Sequence, residues 1–198
     1  VIALCLAAMI LEPSPADFFP LVPGSKYVYQ ESGSRSEDIV GEPIDINGTM
    51  AYPVKTMIGK QVVSETYYAV DAQAARIVAF NPKKPLPSPQ PVFQISPRNW
   101  TWEGSTYWLG EPAPVVIKGS SSLKGKKKVL DQDVEILEVK SDARIGGDKG
   151  PAILVTQVVT YAKGIGMVEM KIESKIAKRT TTSKLSLVSY QVGASGLP

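Results

Sequence analysis

VEMKIESKI, Val168 to Ile176, decides the fold. Val168, Met170, Ile172 and Ser174 fall on one side of a two-residue repeat, and Glu169, Lys171, Glu173 and Lys175 on the other. A two-residue repeat belongs to a strand, and the split gives a sheet with one dry and one wet face. The neighbouring segments read the same way. Leu185, Leu187 and Ser189 alternate with Ser186, Val188 and Tyr190. ILVTQVVTY, Ile153 to Tyr161, is strongly strand-prone. Val134, Ile136 and Glu138 alternate with Glu135, Leu137 and Val139.

The pattern continues towards the N-terminus. Tyr27 and Tyr29 share one face of Lys26 to Gln30. In Gln61 to Val70, Val63, Glu65, Tyr67 and Ala69 oppose Val62, Ser64, Thr66, Tyr68 and Val70. Met50 to Ile58, Ala75 to Phe80 and Val115 to Lys118 complete the clear strands. Asp38 to Ile46 reads as a strand in which Pro43 requires an edge or a bulge. Asn47-Gly48 is a strong hairpin turn, with further turns at Gly59-Lys60 and Asp71 to Gln73.

Three stretches read as loops. Glu31 to Glu37 is polar around Gly33. NPKKPLPSPQP, Asn81 to Pro91, holds five prolines in eleven residues, which excludes a helix and a central strand. SSSLKGKKK, Ser120 to Lys128, is polar and basic. Trp100-Thr101-Trp102 and Tyr107-Trp108 read as a hairpin turning at Glu103-Gly104. About ten strands with hairpin-length connections predict an all-β, mainly antiparallel chain. A single curved sheet, as a half-barrel or rolled sandwich with little helix, would bury the dry face.

The eleven apolar residues Val1 to Leu11 are too few to span a bilayer, which needs about 20, and match an export-signal core. Ser14 and Ala16 supply small residues at the −3 and −1 positions before Asp17. The expected division is a signal remnant at 1–16 and one β domain at 17–198. Leu4 before Cys5 argues against lipid attachment there, and beyond residue 16 there is no cysteine. The chain has no histidine. That excludes a Ser-His-Asp triad, and without a second cysteine it excludes Cys-zinc and Fe–S sites. The net charge of +3 is ordinary, and no aromatics interleave with the Ser120–Lys128 lysines, so nucleic acid is not expected as a partner.

Phe18, Phe19 and Leu21, ahead of the Pro23-Gly24 turn, read as a plug over one open end of the sheet. The tryptophan hairpin could wall a pocket or close the core, and the general burial of aromatics favours the core. Phe18, Phe19, Trp100, Trp102 and Trp108 are the expected ligand-binding set. Lys124, Lys126, Lys127 and Lys128 offer a peripheral contact to an anionic membrane. Gly164-Ile165-Gly166 lacks the third glycine and the following helix of a dinucleotide site, and reads as a tight turn or bulge. Glu103 and Glu111 flank the tryptophans and are the one carboxylate pair suggesting carbohydrate chemistry. No cofactor or metal is expected.

Two motifs resemble a broad group of exported bacterial proteins. Phe18 to Tyr29, FFPLVPGSKYVY, is similar to that group's mature N-terminus, and Tyr161 to Val168, YAKGIGMV, to its late motif. Lys184 to Tyr190 also resembles its last strand. Many relatives carry Pro-Ala-Gly-Thr-Phe before a middle strand, where this chain reads Leu130-Asp131-Gln132-Asp133-Val134. The resemblance implies a curved antiparallel sheet like the half-barrels of lipoprotein carriers, exported to the periplasm or cell surface. It supplies no catalytic residues. The expected function is non-enzymatic binding of an apolar or amphipathic ligand or an envelope protein. The alternatives are a structural module with a filled core, and a carbohydrate-active domain using Glu103 and Glu111.

Overall fold

The computed structural model describes residues 13–108, 111–146 and 152–193, with the side chains of residues 107, 108 and 111 excluded. The export-signal core and residues 109–110 and 147–151 therefore lie outside the described residues.

Among the described residues one helical turn, α1 (Pro15–Phe18), precedes thirteen strands. They are β1 (Lys26–Glu31), β2 (Ser34–Val40), β3 (Ile44–Ile46), β4 (Thr49–Ile58), β5 (Gln61–Val70) and β6 (Ala74–Ala79). Then come β7 (Pro85–Gln94), β8 (Asn99–Trp108), β9 (Glu111–Val129), β10 (Gln132–Ile145), β11 (Ile153–Ala162), β12 (Gly166–Ile176) and β13 (Arg179–Gln191). All pair antiparallel in one sheet of order β7-β6-β5-β4-β2-β1-β13-β12-β11-β10-β9-β8, with β3 attached to β4. The sheet curls into a nearly closed barrel, so the expected antiparallel single sheet with little helix is what the chain forms.

The dry face points inward. Met170 and Ile172 of β12 line the interior, while Lys171 and Glu173 are exposed outside. The outer wall carries cross-strand ion pairs, among them Lys55–Glu65 at 3.8 Å and Lys184–Glu169 at 3.0 Å. This is the reverse of a membrane-spanning barrel, whose outer band is apolar.

Several loops expected from composition are strands. In Glu31 to Glu37 only Ser32 and Gly33, both at positive φ, form a turn; the rest belongs to β1 and β2. The Asp38–Ile46 strand breaks at residues 41–43, where Gly41 packs against Pro53 so closely that an added Cβ would lie 2.8 Å from its ring. The proline run is mostly β7, at the edge of the sheet. Pro85, Pro87, Pro89 and Pro91 alternate along it, and its pairing with β6 is irregular between Ile77 and Ala79. An edge strand tolerates missing donors that a central one would not.

Ser120 to Lys128 is not a loop but the second half of the 19-residue β9. Its partner β10 has the alternating pattern and carries it into the sheet. Glu103-Gly104 is not a turn but mid-strand in β8, opposite Val116 and Val115. Gly104 is small for a packing reason: an added Cβ would lie 2.5 Å from the Trp102 ring.

The N-terminal segment stops one end of the barrel. Ser14 caps α1 and Asp17 returns a bond to the Ser14 N–H, forming a capping box. The Gly164 N–H donates to the Asp17 carbonyl at 2.7 Å, and Lys163 lies 3.7 Å from the Asp17 carboxylate. Phe18 is fully buried with Phe93, Leu137, Val139, Val159 and Tyr161. α1 spans the expected boundary at 16/17. The Gly164–Gly166 segment is the expected tight turn, with positive φ at both glycines.

Candidate ligand cavity

Inward-facing residues of the two meander halves enclose a cavity of about 620 Å³. That is within the size range of small-molecule sites. Its floor is the N-terminal segment, through Phe19, Pro20 and Leu21. Phe19 meets Tyr68 edge-on at 5.1 Å between ring centres, and Phe93 and Tyr161 at 6.2 and 6.1 Å. The walls are largely aliphatic: Val54, Val155, Val159, Met170, Ile172 and Leu185.

Polar groups are few and unevenly placed. Asp38 of β2 faces the cavity and accepts a hydrogen bond from the Thr56 hydroxyl at 2.7 Å. Glu31 of β1 accepts one from the Ser183 hydroxyl. Ser36, Gln90, Ser141 and Gln157 also line the wall. No lysine or arginine lines the cavity among the described residues. Burial raises the Asp38 carboxyl above the ordinary carboxylate range, and the Thr56 hydrogen bond partly opposes it. Burial, with the charge of Asp38 added, pushes the Tyr68 hydroxyl up to about 12. Tyr29 is raised well above the ordinary tyrosine value for the same two reasons. Burial also raises Tyr161 far above that value. These tyrosines are neutral donors at ordinary pH.

No protein-family model, curated protein or solved structure matches the chain.

The expected ligand-binding residues separate. Phe19 lines the cavity, whereas Phe18 is buried behind it in the core. Trp100 is buried with Val115 and Ile117. Its ring lies flat against Gly119, its partner across the β8–β9 ladder, leaving no room for a Cβ. Trp102 packs on Gly104, and its indole N–H donates to the Ser88 hydroxyl of β7 at 3.2 Å. Neither tryptophan lines the cavity. The Trp108 and Glu111 side chains lie outside the described residues. Glu103 is exposed on the outer face.

Lys124, Lys126, Lys127 and Lys128 are exposed on β9 near the plugged end, and two of them are ion-paired. Lys124 reaches Glu138 and Lys128 reaches Asp131, both at 3.3 Å. Among the described residues, no three His, Cys, Asp or Glu are grouped to hold a metal ion.

Sequence reasoning missed Asp38, Tyr29, Tyr68 and Met170 as site residues. Parity held the signal. Tyr27 and Tyr29 share a face, Tyr68 opposes Tyr67, and Asp38 is two residues from the buried Val40. An acid in register with core residues marks a buried carboxylate.

Proposed function

We infer that this protein binds an apolar or amphipathic molecule inside its barrel and performs no chemistry on it. The observation that carries the reading is the 620 Å³ cavity, with aliphatic walls and a floor of Phe19, Pro20 and Leu21. A core with no ligand role would be packed to the density of an organic crystal, without a space of this size. The apolar run Val1 to Leu11 and the two motifs support a place in a bacterial cell envelope, which fractionation of the native host would check.

Native mass spectrometry of the gently purified full chain, with extraction and identification of any bound molecule, tests the binding. A phenylnaphthylamine probe that fluoresces in apolar surroundings gives a second readout. Met170→Trp grows a side chain into the cavity rather than into packed atoms. Loss of probe binding in this variant, with the thermal transition retained, is the expected result. A wild-type chain that carries nothing and binds no probe overturns the reading.

A further inference from the structure

Two acids line the cavity, Glu31 of β1 and, on β2, Asp38. Within the sheet this carboxylate stands beside Thr56 of β4 and Tyr27 of β1. Its one hydrogen-bond partner among the described side chains is Thr56. It forms no ion pair among the described residues, whereas Glu135, Glu138 and Glu169 on the outer wall between β10 and β13 each have a lysine within 4.0 Å. The second cavity carboxylate, Glu31, takes a serine hydroxyl and likewise has no cation. An apolar chamber with two carboxylates and no lysine or arginine repels an anionic head group. It offers a protonated amine the charge partner that Asp38 lacks, in surroundings where that pair is weakly screened.

Building on the cavity-binding reading, we propose that the preferred ligand is a cationic amphiphile. Its protonated amine bonds the Asp38 carboxylate, and its hydrocarbon chain lies along Val54, Val159 and Met170. Tyr29 and Tyr68 line the same cavity as Asp38.

The test uses the full chain and three competitors of equal chain length, each below its aggregation concentration: an alkylamine, the fatty acid and the fatty alcohol. Each displaces the phenylnaphthylamine probe. The amine is expected to compete at least about tenfold better than acid or alcohol, the size of one charge-assisted hydrogen bond. Asp38→Asn should erase that margin and leave the alcohol unchanged.

A second measurement needs no change at Asp38. In the Glu31→Gln background, acidification protonates Asp38 and should weaken the amine but not the alcohol. The groups facing Asp38 are Tyr27 and Tyr29 of β1, Tyr68 of β5 and, across the cavity, Tyr161 of β11. All four have raised values and do not titrate in acid. Because burial raises Asp38, the loss should begin at a higher pH than an exposed aspartate would give. Equal competition by all three overturns the head-group assignment and leaves cavity binding standing. So does an amine margin that survives Asp38→Asn, and so does preference for the acid. A folded chain that binds neither the probe nor any competitor overturns both readings.

Discussion

At the scale of single residues, two glycines explain how the tryptophans are used. Trp100 lies over Gly119 on the next strand, and Trp102 over Gly104 on its own. A strand glycine leaves a gap in the sheet surface, and an aromatic ring covers it. Gly119→Ala puts a methyl group where the Trp100 ring lies, so it should destabilise the fold by about 1–3 kcal/mol, the usual cost of overpacking. Urea denaturation of the variant would measure it, and a neutral result would show that the ring moves freely. The core role of Trp100 was legible in the sequence from the general burial of aromatics. The continuous strand that carries the tryptophans was not, because Gly104 has the same letter whether it reverses the chain or makes room for a ring.

At the scale of elements, α1 is only four residues long and depends on its ends. A free helix of that length would not form, since nucleation costs more than one turn returns. Here the Ser14–Asp17 box and burial of Phe18 supply the difference. Ser14→Ala should cost about 1 kcal/mol. Phe18→Ala should cost about 3–5 kcal/mol. Phe19→Ala should change probe binding more than Phe18→Ala does, because only Phe19 faces the cavity. Thermal melts paired with probe titrations separate the two effects.

The same scale shows what the sequence hid. Strands with a wet and a dry side, such as β12, announce themselves. The second half of β9 does not, because its lysines and serines carry no apolar period and its pairing with β10 decides its state. The proline run reads as a loop because donors are missing from it. The missing donors in fact put β7 at an edge, a place that only the whole sheet defines.

At the scale of the molecule, β1 pairs with β13, so the first and last strands are zipped together. The two ends of the sheet, β7 and β8, meet mid-sequence, where no ladder joins them among the described residues. The Trp102–Ser88 hydrogen bond crosses that seam. Backbone amides of β7 and β8 should therefore exchange with solvent faster than those of β1 and β13. Hydrogen exchange followed by mass spectrometry would reveal the contrast, and Trp102→Ala should widen it. Uniform protection around the barrel would show the seam to be as firm as a ladder.

The arrangement also bears on how the barrel can open. β1 to β7 and β8 to β13 are the two covers of a book, and the β1–β13 ladder is its spine. Parting the covers at their free edges breaks side-chain contacts but unzips no strand. The stopper at one end stays in place in such an opening, and the wall parts along its seam.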